Sequence, residues 1–204
     1  MRERVDTKER TTKETDIVVK LNIDGSGESK IDTGIGFLDH MLELFAFWGH
    51  FDIDLKVKKG DFKIDIHHTN EDAAIVLGQA FKKALGDKKG IKRLGDASVP
   101  MEEVTANVVV DISGRGSFKL DMAKGQVYEY PLDQEGYEFK YAEHFFDAFS
   151  KQLGMNLNIT LQNPNKDLHA TLEPVFKALG KALDEATQID SRRKGIPSTK
   201  GVID

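Results

Sequence analysis

The chain has 204 residues, 39% of them apolar and 31% charged, and its 29 basic and 34 acidic side chains leave a net charge of −5. The absence of cysteine excludes disulfide scaffolds, iron–sulfur clusters and thiol catalysis, and the acidic balance argues against a broad nucleic-acid surface. No apolar run approaches the ~20 residues of a membrane span, and Met1–Thr12 is too charged for a signal peptide, so a cytoplasmic protein without membrane or nucleic-acid partners is expected.

Ile17, Val19, Leu21 and Ile23 alternate with polar residues and predict a half-buried strand that ends in the turn chemistry of Asp24-Gly25-Ser26-Gly27. A helix follows from Leu38 to about Trp48, with Met41, Leu44, Phe45 and Trp48 along one side. Ile53, Leu55 and Val57 predict a strand, and Phe62, Ile64 and Ile66 another, joined by a hairpin loop at Lys59-Gly60-Asp61. Ala73, Leu77, Ala80, Phe81 and Ala84 keep helical spacing up to Gly86. Val104, Ala106, Val108, Val110 and Ile112 form a strand pattern, as do Met155, Leu157, Ile159 and Leu161. Helical patterns flank the second of these, through Phe145, Phe146, Phe149 and Leu153, and through Leu172, Phe176, Leu179, Leu183 and Ala186.

The series repeats itself. Asp39-His40-Met41-Leu42 has a counterpart in Glu143-His144-Phe145-Phe146, and His67-His68-Thr69-Asn70-Glu71 has one in His169-Ala170-Thr171-Leu172-Glu173. The expected fold is α+β, with two duplicated half-domains at residues 1–95 and 96–190. Each is read as a mostly antiparallel four-stranded sheet with two helices on one face, followed by a phosphate-binding tail at 191–204.

The densest chemical cluster is His67, His68 and Glu71. On a helix His67 and Glu71 stand one turn apart, a spacing that lets two side chains hold one ion. Adjacent histidines diverge by 100°, so His67 and His68 are expected to serve two different metal positions. His40, His169 and Glu173 extend the candidate ligand set, and imidazole with carboxylate suits Zn, Mn, Fe or Ni. His50 reads as a loop residue and His144 as a surface helix residue. Arg93 between Gly90 and Gly95, Arg115 in Ser113-Gly114-Arg115-Gly116, and the run Pro197-Ser198-Thr199-Lys200-Gly201 place cations in turns that suit either a small anion such as phosphate or plain solvated charge.

Gly36-Phe37-Leu38-Asp39-His40-Met41, His67-His68-Thr69-Asn70-Glu71-Asp72, Ser113-Gly114-Arg115 and Pro197-Ser198-Thr199-Lys200-Gly201 resemble the signatures of imidazoleglycerol-phosphate dehydratases, in order and over essentially the whole chain. The resemblance implies removal of water from imidazoleglycerol phosphate to give imidazoleacetol phosphate, a step of histidine biosynthesis. It also implies two Mn²⁺ per subunit at interfaces and a homo-oligomeric shell of 24 subunits built from trimers. It assigns His40, His67, His68, Glu71, His169 and Glu173 to metal, Glu71 also as base, Glu14 to the glycerol hydroxyls as a catalytic residue, and Arg93, Arg115, Ser198 and Lys200 to phosphate.

The chain departs from the family pattern where Asn158 and Ala170 stand at positions that the resemblance gives to histidine ligands. If both losses fall on one ion, one metal site goes and one stays; if they are divided, both weaken. Impaired activity follows on either reading, and a non-catalytic structural or binding relative on the same fold is the alternative.

Overall fold

The computed structural model describes residues 3–123, 134 and 136–203. The first copy contains strands β1 (Val5–Thr11), β2 (Asp16–Asn22) and β3 (Ser29–Asp32), helix α1 (Gly36–Gly49), strand β4 (Asp52–Lys59) and helix α2 (His67–Leu85). The second runs through β5 (Leu94–Met101), β6 (Val104–Asp111), β7 (Ser117–Met122), α3 (Phe139–Leu153), β8 (Asn156–Gln162) and α4 (Leu168–Thr187) in the same order. The division between copies falls between Leu85 and Leu94.

The sheets are ordered β1-β2-β4-β3 and β5-β6-β8-β7. In each, two neighbouring pairs are antiparallel and the last, β3 with β4 or β7 with β8, is parallel. The expected fold class therefore holds: α+β, duplicated, four strands and two helices per copy. Period-two alternation explains the central strands. Ile17, Val19 and Leu21 of β2, and Leu157, Ile159 and Leu161 of β8, bury one face while the residues between them stay outside.

Two expectations are corrected. Phe62, Ile64 and Ile66 do not form a strand: residues 60–66 lie between β4 and α2 as turns, with Ile64 75% exposed. Its apolar residues alternate, but the neighbouring position in the sheet belongs to β3, which pairs with β4 in parallel. Each copy also places three strands, not one, before its first helix.

Each helix lies on its own copy's sheet, α1 and α2 on the first and α3 and α4 on the second. The two helix layers then face each other across the copies, α1 against α4 and α2 against α3. Phe45, Phe81, Phe149 and Phe176, one from each helix, are at most 1% exposed, and Phe149 stacks edge-on against both Phe45 and Phe81 at 5.9 and 5.7 Å. Burying such a side chain contributes roughly 1.5–3 kcal/mol, so this aromatic centre is what clamps the layers together. Glycines allow the close approach. A Cβ built on Gly180 of α4 would lie 2.6 Å from the Phe45 carbonyl oxygen of α1, and one on Gly78 of α2 would lie 2.8 Å from the Phe149 carbonyl oxygen of α3.

Candidate metal centres

The first set forms where α1 meets α4. Thr33 donates to the Asp39 carboxylate through its backbone N–H, at 2.8 Å, and through its hydroxyl, which fixes the start of α1 beside His40. Asp167 caps α4 by accepting from the backbone N–H of His169 and of Ala170, at 2.8 and 3.2 Å. Those caps bring Glu173 Oε2 to 2.7 Å from His169 Nε2 and 3.4 Å from His40 Nε2. One donor atom from each of the three lies within 4.8 Å of the others. The second oxygen of Glu173 takes the Lys177 ammonium at 2.5 Å. Burial pushes the Glu173 carboxyl up, but Lys177 and His169 outweigh it and hold it below the usual carboxylate range. It is therefore an anionic donor near neutral pH.

The counterparts of these residues in the repeat meet at the junction of α2 and α3 in a different geometry, touching pairwise instead of converging on one carboxylate oxygen. His67 Nε2 faces Glu71 Oε2 at 3.3 Å, and its Nδ1 meets Nδ1 of His144 at 2.9 Å. Asp65 accepts from the His67 backbone N–H at 2.6 Å. A buried relay fixes the two helices relative to each other: Tyr137 donates its hydroxyl to Asn70 Oδ1 at 2.9 Å, and Asn70 donates its amide to the Tyr141 carbonyl at 2.8 Å. The repeat maps His144 onto His40, His67 onto His169 and Glu71 onto Glu173. Each set thus takes one histidine from one copy and a histidine–carboxylate pair from the other.

The remaining expected residues fall elsewhere. His68 turns from His67 to Asp61, whose carboxylate raises the affinity of the ring for a proton through a 2.9 Å hydrogen bond. Glu14 has a carboxylate oxygen within 4.8 Å of both. Asn158 is not part of either set: it is exposed on the outer face of β8, between buried Leu157 and Ile159, and pairs with Val109 and Lys119. Ala170 is in the first turn of α4, 3% exposed and with no ligating atom. His50 caps the end of α1 and lies 3.8 Å from Asp184, away from both sets.

Two residues escaped the sequence reading. His144 was legible through its alignment with His40, but its exposed helical position argued for plain surface. Asp61 had no signal, because residues around it read as a hairpin.

Of the basic residues, Arg93 is clamped by Asp111 through Nε and Nη2 at 2.6 and 3.0 Å, while its Nη1 donates to the Pro197 carbonyl at 3.0 Å. That contact brings Ser198 and the tail to Arg93, and the Gly90 N–H adds a second tie by donating to Gly195 at 2.9 Å. Arg115 stands in the turn from β6 to β7, where its backbone N–H donates to Ser113 Oγ at 3.3 Å. Lys200 donates its backbone N–H to Ser198 Oγ at 3.2 Å. Among the described residues no helix is long and apolar enough to cross a membrane.

Residues 33–183 match the family model described as imidazoleglycerol-phosphate dehydratase. The chain is 48% identical to the imidazoleglycerol-phosphate dehydratase of Pelobacter propionicus over 202 residues, covering 98% of this chain and 99% of that one. It is 50% identical to the protein of that name from Thermoanaerobacter sp. strain X514 over 197 residues, 95% of this chain and 96% of the relative. The fold agrees: the crystal structure of imidazoleglycerol-phosphate dehydratase from Staphylococcus aureus superposes with a TM-score of 0.77 at 31% identity, covering 91% of this chain and 99% of that one. With the duplicated sheets, the two histidine–carboxylate sets and similarity along nearly its full length, the chain belongs to the imidazoleglycerol-phosphate dehydratase family.

Proposed function

We propose that the protein is a cytoplasmic hydro-lyase that converts imidazoleglycerol phosphate to imidazoleacetol phosphate, in histidine biosynthesis, with Mn²⁺ as cofactor. The observation that carries this reading is the convergence of His40, His169 and Glu173 where α1 meets α4; the repeat brings His67, Glu71 and His144 together at the other helix junction through pairwise contacts. The donor set fits the cation. Imidazole nitrogen and carboxylate oxygen suit Mn²⁺ and its neighbours, and the donor atoms of the first set already converge, with Lys177 held on the other oxygen of Glu173. Such a cation supplies Lewis acidity toward the substrate imidazole, stabilising its deprotonated form.

Each set holds three residues and is partly open, with His40 and His169 side chains 43% and 37% exposed. His68, left over from both, is 36% exposed and is the residue we assign to complete a site on a second copy of the chain. Self-association into the 24-subunit shell built from trimers is part of this proposal.

The reaction removes a proton from carbon and a hydroxyl from its neighbour, and the resulting enol becomes the ketone. Glu71, a half-buried carboxylate beside His67, is assigned to the ligand set and to proton removal. Glu14 is assigned to orient and protonate the departing hydroxyl. Arg93, Arg115, Ser198 and Lys200 are assigned to the substrate phosphate. The Asp111 clamp holds Arg93 rigidly enough to present the guanidinium edge, and the Pro197 contact sets the tail beside it.

The test is turnover of imidazoleglycerol phosphate by the purified protein with Mn²⁺, alongside Glu71→Gln and Glu173→Gln. Each variant should lose at least a hundredfold in kcat/KM. Full turnover by either variant overturns the assignment, and no turnover by the Mn²⁺-loaded wild type overturns the function.

A further inference from the structure

His68 differs from His40, His67 and His169 in which nitrogen meets a carboxylate. In His40, His67 and His169 it is Nε2 that faces Glu173 or Glu71. In His68 it is Nδ1, 2.9 Å from Asp61 Oδ2. On the proposed reading Glu71 and Glu173 are co-ligands, which makes Nε2 the ligating atom of those three rings and leaves Asp61 on the opposite, Nδ1 side of the His68 ring, with Glu14 nearby.

Asp61 is itself held. Its backbone N–H donates to Thr69 Oγ1 at 2.9 Å, and Thr69 is fully buried one residue beyond His68 in α2. The Asp61 side chain is 17% exposed. The carboxylate and the ring are therefore fixed from the same turn of helix. The second copy has the same hydroxyl tie, from the Asn165 N–H to Thr171 Oγ1 at 3.2 Å, but it carries an amide there, and Ala170 in place of the histidine.

A neutral imidazole has its proton on one nitrogen and its lone pair on the other, and a ligand is ready only when the lone pair faces the ion. An ionised carboxylate can only accept, so Nδ1 of His68 carries the proton and Nε2 keeps the lone pair. We infer that Asp61 is a positioning residue for metal: by accepting from Nδ1 it fixes the orientation and tautomer of His68 and presents Nε2 to a divalent cation. The inference rests on the reading of His68 as a ligand and is separable from it.

The test uses the full-length protein stripped of metal, with Zn²⁺ as a diamagnetic probe. Solid-state ¹⁵N NMR of histidine-labelled protein, with His68 assigned by its loss in His68→Asn, reports the tautomer. Competition with a chelating dye reports stepwise Zn²⁺ affinity for the wild type, Asp61→Ala, the isosteric Asp61→Asn and His68→Asn. Wild-type His68 should be protonated on Nδ1 and should shift at Nε2 when Zn²⁺ binds. Asp61→Ala should move the proton toward Nε2. Both Asp61 variants should weaken the His68-dependent class of sites 10–100-fold and leave the other class unchanged. A wild-type ring protonated on Nε2, a Zn²⁺ shift at Nδ1, or Asp61 variants that bind within twofold of wild type overturns the inference alone. Zn²⁺ binding that is absent, or indifferent to His68→Asn, overturns the metal reading beneath it.

Discussion

Gly180→Ala measures how far the candidate sites depend on helix spacing. In an open helix the change stabilises by about 1 kcal/mol, because alanine is the better helix former. Here the new Cβ would lie 2.6 Å from the Phe45 carbonyl oxygen and 3.0 Å from the Gly49 nitrogen, so ordinary contact, beginning at 3.4 Å, falls about 0.8 Å short. Both obstacles are backbone atoms of α1 and cannot rotate away. The helices must separate by most of that distance, and overpacking of this kind costs roughly 1–3 kcal/mol. The clash wins, and the net effect is a loss of about 0–2 kcal/mol, or up to several degrees in Tm for a chain of this size. Gly180 lies seven residues beyond Glu173 on α4, so the same displacement opens the 3.4 Å gap between His40 and Glu173. Urea unfolding combined with metal titration checks both consequences. Gly180→Ala should weaken the set containing His40, and Gly78→Ala the set containing His144. A Gly180→Ala protein stabilised by the full helix-propensity gain, with metal affinity untouched, would refute the close-approach argument.

Two more predictions concern the first copy's loop and the altered second copy. Asp52 Oδ1 accepts the backbone N–H of Ser26, Gly27 and Glu28 at 2.8, 3.2 and 3.1 Å. Burial pushes its carboxyl up, but these bonds prevail and hold it below the ordinary value of 3.8. Its contribution is therefore complete above that ordinary value and lost as pH falls through the depressed folded one. Asp52→Asn should cost about 1–2 kcal/mol at pH 7 and flatten the acid limb of the stability profile; denaturant midpoints from pH 7 to 2 decide it. Ala170→His should raise the Mn²⁺ retained per chain after dialysis, whereas Asn158→His, on the outer face of β8, should not. Elemental analysis showing a gain only with Asn158→His would reverse the placement of these two residues.

What the sequence made legible follows from burial. The central strands β2, β4, β6 and β8 were visible because each buries one face and so alternates. The strands that escaped, β1, β3, β5 and β7, are the sheet edges. β1 reads VDTKERT with no fully buried residue, and β5 carries Pro100, which an edge tolerates and a central strand does not. The loop at 60–66 misled for the converse reason, since Phe62 and Ile64 alternate like a strand yet remain exposed. Within the sites, the one-turn spacing of His67 to Glu71 and of His169 to Glu173 was readable locally. The meeting of His144 with His67, and of His40 with Glu173, depends on helices from different copies packing together, which no local pattern encodes.

The exchange of helix partners across the duplication makes each copy chemically incomplete. A fragment ending after Leu85 would carry His40 without Glu173, and His67 with Glu71 but without His144. If the sets hold metal as proposed, cutting the chain in residues 86–93 should yield two pieces that bind it only after fragment complementation re-docks the aromatic faces. On the proposed reading, a single half would complete its set only by pairing with another half.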